Sequence, residues 1–228
     1  MAVLLSHATV ASSDGSTVST AELAVAAARE AIARVAGDYH PYAVWFSAET
    51  DPDPSTTIAT QVHHELGLAG FAGAYDMLGG PRSAVGALKI ASTSTMLAVL
   101  FDRASDSASA FCFGKGDPLA EEISGANATD IDDPSGRSSA AATIESSLQT
   151  AELGFDDVEV FAVAGRDPSA LMGAISAGPT RLISGGGVGR VLSDALSVAP
   201  SGSIVAQVVG CDGADVRLWR IGVGATAV

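Results

Sequence analysis

Apolar positions along the chain fall into short continuous runs bounded by glycine, proline and aspartate. These runs read as strands, and they alternate with longer stretches of small apolar residues at helical spacing. Ala2–Ser6 predicts a first strand. The polar segment Ser12–Ser19 ends in Ser19-Thr20-Ala21-Glu22, where a serine followed three residues later by glutamate has the form of a capping box, so a helix over Thr20–Val35 follows, stopped at Gly37. Its apolar positions are nearly all small (Ala24, Ala26, Ala27, Ala28, Ala31), which predicts close packing on a sheet. Tyr42–Ser47 reads as a strand, Asp51-Pro-Asp-Pro54 as a turn, Ser55–Leu66 as a helix stopped by Gly67, and Ala72–Asp76 as a short strand. Gly79-Gly80-Pro81-Arg82 then opens a helix over Ser83–Ser92, and two strands follow, Met96–Asp102 and Ala108–Gly114.

The late part of the chain repeats this order. Helix Ser139–Leu153, strand Val158–Ala164, the segment Pro168–Ile175 and a short strand at Arg181–Ile183 lead to Gly185-Gly-Gly-Val-Gly189. Helix Arg190–Ser197 and strands Ile204–Gly210 and Asp215–Ile221 complete it. The glycine turns at 79 and 186 are offset by 107 residues, and the same offset superimposes the helix and both strands that follow each turn. A period this long is no solenoid; it fits a duplicated α/β half-domain with a pseudo-twofold axis. Between the copies, residues 116–138 are rich in Asp, Gly and Ser and read as a linker. The expected organisation is therefore an N-terminal half at 1–115, a linker at 116–138 and a C-terminal half at 139–228, sharing one core.

Charge narrows the partners. A net charge of −14, with only two lysines (Lys89 and Lys115), leaves no basic footprint for nucleic acid or an anionic membrane. Cys112 and Cys211 are too few for a disulfide framework and suit a reducing cytoplasm. Met1–Val10 lacks the basic flank and core length of a signal peptide, and no run approaches the roughly 20 apolar residues of a membrane span, so a cytoplasmic protein is expected.

Other motifs point to ordinary structural roles. His63-His64-Glu65 is not a zinc pattern, because adjacent helical residues diverge by about 100° whereas zinc helices place histidines at i and i+4. No metal site is expected. The 185–189 glycine turn has the wrong spacing for a dinucleotide fingerprint and reads as a tight turn, with phosphate binding as the alternative. Asp130, Asp132 and Asp133 read as a solvated acidic loop, with a cation site as the alternative. Asn127-Ala-Thr129 would be a glycosylation sequon only in a secreted protein, and no basic neighbour activates Cys211.

The stretch Tyr75-Asp76-Met-Leu-Gly-Gly-Pro-Arg-Ser-Ala-Val-Gly-Ala-Leu88, continuing into Leu97–Ser105, resembles the nucleophile region of the thiolase superfamily, with ketoacyl-ACP synthase III and prokaryotic 3-hydroxy-3-methylglutaryl-CoA synthase as the nearest versions. Phe46–Asp51, Leu66-Gly67-Leu68, Gly187-Val-Gly189 and Pro200–Gly210 are similar to further motifs of that family, in the same order. The resemblance implies a duplicated βαβαβαββ architecture layered α/β/α/β/α. It also assigns site positions. The nucleophile, five residues after Asp76, falls at Pro81; the second position, commonly His, falls at Gly165 beside Arg166; the third, commonly Asn or His, falls at Gly187. None of the three can do the family's chemistry, and the four histidines, His7, His40, His63 and His64, lie in the first third of the chain. The chain is also short for the family.

The expectation is thus a pseudoenzyme. It would be a non-catalytic thiolase-like subunit in acyl-CoA metabolism, pairing with a full-length thiolase or acyltransferase through residues 71–101, alongside a zinc-ribbon/OB-fold protein or as a homodimer. Ala84, Gly86, Ala87 and Met96–Leu100 would supply the small and apolar contacts. No cofactor of its own is implied; any CoA ester would sit in the partner. Asp76, Arg82 and Arg166 would line the vestigial cleft, with Arg82 salt-bridged across it or binding an acyl carboxylate. Two alternatives stand beside this. One is a CoA-ester or ketone-handling transferase, aldolase or hydrolase using Asp76, Glu49, Arg82 and Arg166 in place of cysteine chemistry. The other is an unrelated α/β protein.

Overall fold

The computed structural model describes residues 2–13, 18–48, 57–129, 137–173, 175, 181–211 and 213–222. The chain divides into two compact units, Met1–Asp117 and Pro118–Val228.

The first unit runs β1 (Val3–Ala11), α1 (Thr20–Ala33), β2 (Ala43–Ala48), α2 (Ile58–Glu65), β3 (Gly73–Leu78), α3 (Pro81–Ala91), β4 (Met96–Asp102) and β5 (Ser107–Gly114). Its strands lie in the order β3-β2-β4-β5-β1. β2 pairs in parallel with β3 and β4, while β5 pairs antiparallel with β4 and β1. The Ser19–Glu22 capping box forms as predicted, with Glu22 N donating to Ser19 Oγ at 3.2 Å and Ser19 N donating to Glu22 Oε2 at 2.8 Å. Ala24, Ala27, Ala28 and Ala31 of α1 are fully buried with Val44, Phe46, Leu97, Val99, Ala108 and Ala110 of the sheet and with Ile58, Ala59 and Val62 of α2. Small side chains let the helix axis approach the strands closely. α3 covers the other face, where Ser83 Oγ meets Ser47 Oγ at 2.7 Å.

The second unit runs β6 (Ala120–Thr129), α4 (Arg137–Thr150), a 3-10 turn (Phe155–Asp157), β7 (Val158–Gly165), α5 (Pro168–Met172), β8 (Arg181–Gly185), α6 (Val188–Val198), β9 (Ile204–Gly210) and β10 (Gly213–Ile221). Its strand order, β8-β7-β9-β10-β6, is that of the first unit element for element. Each pairing keeps its direction: β7 is parallel to β8 and β9, and β10 is antiparallel to β9 and β6. Ile144 and Leu148 of α4 and Leu171 of α5 are buried with Phe161, Val163, Ala206, Val208, Val216 and Leu218. Two copies of one pairing scheme give the fold the duplicated βαβαβαββ character expected from the sequence.

Several boundaries differ from the sequence reading by a few residues, and some segments gain structure. The first strand continues to Ala11 because its polar residues are paired or buried: Ser6 Oγ donates to Ala31 O at 2.6 Å, and Thr9 Oγ1 meets Ser109 Oγ at 2.7 Å. Within the 116–138 stretch read as a linker, Ala120–Thr129 is instead β6, paired along β10 from Ala120↔Ile221 to Thr129↔Gly213. Pro168–Met172 is a short helix capped by Asp167, whose Oδ1 accepts from Ala170 N at 3.1 Å. Asp130, Asp132, Asp133 and Glu49 lie outside the described residues.

Candidate functional site

β3 ends at Leu78, and the chain turns through Gly79 (φ +136°) and Gly80 (φ +70°) into α3. Both backbones sit where side chains are strained, so glycine is required for the turn. Pro81 is the first helical residue, where its fixed φ suits the helix and its missing N–H is no loss. Beneath it, Ser83 Oγ donates to Gly80 O at 2.7 Å and pairs with Ser47, tying the turn to the end of β2. These two serines, buried and hydrogen-bonded, were not singled out from sequence; Ser47 closes an apolar run with a small polar residue, the only available signal. The position assigned to the nucleophile is therefore a well-seated helix start with no reactive atom.

Asp76 does not face this turn. Its carboxylate accepts from Ile58 N (Oδ2, 3.0 Å) and Ala59 N (Oδ1, 2.8 Å), the first two amides of α2. Thr57, the residue at the cap position, makes no side-chain cap bond, so Asp76 supplies the cap from a neighbouring strand and places negative charge at the helix's positive end. α2 and α3 cover opposite faces of the sheet, and both oxygens of Asp76 are engaged by α2. Arg82 is exposed in the first turn of α3.

In the second unit, Gly165 ends β7 with φ +141°, next to Gly210 at the end of β9. A Cβ at position 165 would stand 2.8 Å from Gly210 O and 3.1 Å from Gly210 N, so no side chain fits there unless β9 moves. Arg166 follows it and is exposed. Gly187 is the cap residue of α6 and offers no side chain.

Other titratable groups have structural settings. His7 is buried on β1, its ring stacked on Phe111 with centroids 6.2 Å apart. Burial, reinforced by the nearby Arg34 guanidinium, lowers its pKa to about 4. Burial pushes the Cys112 thiol up to about 12, so it is a core residue rather than a nucleophile. His63 Nε2 lies 3.2 Å from Ala69 O. Among the described residues no group of three or more His, Cys, Asp or Glu could hold a metal ion. Grooves of about 420 and 490 Å³ run along α1 and α2, lined by Glu22, Arg29, Gln61, His64 and Glu65, and include none of the assigned site positions.

The edge of the first unit differs. β3 pairs only with β2 in its sheet, and Tyr75 and Leu78 on it are 49% and 46% exposed. Tyr42 and Phe71, which flank it, are 59% and 78% exposed. Tyr75 stacks on Trp45 of β2 with ring centroids 4.5 Å apart, and the Trp45 indole N–H is buried without an acceptor. The topologically equivalent edge, β8, exposes one large apolar residue, Leu182. By contrast, Ala84, Ala87, Leu97 and Val99, expected at an interface, are buried, and Gly86 packs under the Met77 methyl. The exposed large apolar residues of this region therefore lie on β3 and its flanks.

No protein-family model matches the sequence, and a search of curated proteins finds no match. Solved structures do match. A tetronic acid condensing enzyme, AbyA1, superimposes with a TM-score of 0.81 at 17% identity, over 96% of this chain and 100% of that one. The 3-oxoacyl-[acyl-carrier-protein] synthase III of Aquifex aeolicus VF5 gives 0.77 at 12% identity, over 96% and 100%. OleA of Xanthomonas campestris gives 0.82 at 11% identity, over 96% and 98%. No helix among the described residues is long and apolar enough to cross a membrane. At these identities the likeness speaks to architecture, and with the two matching five-strand pairing schemes it establishes that the chain has the thiolase-like fold of condensing enzymes.

Proposed function

We propose that this chain is a non-catalytic thiolase-fold subunit that pairs, through the β3 edge, with a catalytically intact thiolase-like or acyl-CoA-handling synthase. The observation that carries the reading is Pro81. At the position the resemblance assigns to the nucleophile, the chain places a residue that cannot form a thioester and that fits the helix start without strain. Two further observations support it: Gly165 leaves no room for a base, and Asp76, the nearest carboxylate in sequence, has both oxygens committed to α2. The partner follows from the edge. An edge strand with exposed aromatics on it and beside it, and no lysine or proline of its own, is a template for another strand, and proteins that stay monomeric blunt such edges. A CoA ester, where one is used, belongs in this reading to the partner's pocket, and a zinc-ribbon/OB-fold protein would be a further member of the assembly.

Native mass spectrometry on the chain purified at endogenous expression tests this. The expected result is a complex of fixed stoichiometry with a full-length thiolase-like protein. Recovery as a homodimer alone, with acyl-transfer or aldol activity that is lost on Arg82→Ala, would overturn the reading in favour of an enzyme with non-cysteine chemistry.

A further inference from the structure

We draw no further inference here: the strongest candidate, the buried indole N–H of Trp45 beneath the half-exposed Tyr75 on the β2–β3 edge of the first unit, belongs to the docking edge already described, and nothing in the structure shows which acceptor covers it.

Discussion

At Asp76, two carboxylate oxygens meet the first two amides of α2, and the helix has no cap of its own. Replacing that carboxylate removes two charge-assisted hydrogen bonds and the favourable charge at the helix's positive end. Asp76→Ala is expected to destabilise the protein by about 1–2 kcal/mol, with Asp76→Asn in between because its amide oxygen can still accept one bond. Denaturant unfolding measures this; equal stability of all three forms would show that the contact is not made in solution. His7 gives a pH-dependent counterpart. Its ring is held neutral by burial against Phe111 and by the Arg34 guanidinium, with a folded pKa of about 4 against 6.5 when unfolded. Above pH 6.5 both states carry a neutral ring and nothing is lost. As pH falls from 6.5 towards 4 the unfolded chain takes up the proton first, so stability should decline by up to about 3 kcal/mol. In His7→Phe that part of the decline should disappear, whereas an unchanged slope would assign the acid sensitivity to other groups.

At the scale of elements, the repeat was legible where apolar runs are continuous and illegible where they are not. β5, β9 and β10 are buried along nearly their whole length and β4 through its centre, so their sequences read as strands at sight. β6 has the sequence AEEISGANAT, with no continuous apolar run, and nothing local declares it a strand. It is a strand because β10 pairs along it and because Arg217, 3% exposed, donates to Glu122 Oε2 of β6 and to Asp215 Oδ1, both at 3.2 Å. That is tertiary information, carried by residues 95 positions apart. The Asp76 cap escaped notice for the same reason, since it acts on a helix 17 residues earlier. Arg217→Ala should therefore cost about 2–3 kcal/mol, because it removes the charge-assisted hydrogen bonds that a buried guanidinium makes to the part-buried carboxylates of Glu122 and Asp215. Its effect should concentrate on β6, where amide hydrogen exchange would accelerate over 120–129 before it does over β9. Uniform acceleration across the second unit would instead mean that β6 is held by the rest of the sheet.

For the whole molecule, the two units supply their own control. β3 and β8 occupy the same place in the two units' equivalent pairing schemes, yet four of the six large apolar side chains exposed among the described residues lie on β3 and its flanks, while β8 carries one. Local folding demands do not explain the difference, because both strands satisfy the same pairing scheme with the neighbouring parallel strand. What distinguishes them is the exposed apolar surface, and a concentration of it marks an interaction site. Tyr75→Lys would put a charge on that surface, the device by which natural edge strands avoid pairing. The proposed complex should weaken by about 2 kcal/mol or more, roughly thirtyfold in dissociation constant, the loss typical of a buried aromatic anchor. Unfolding of the isolated chain should change by about 1 kcal/mol, the loss of the stack on Trp45, which is less than the effect on association. Leu182→Lys, the matched change on β8, should leave the complex intact. Equal losses from both substitutions would show that the complex responds to added charge rather than to this edge. No loss from either would move the docking surface away from β3.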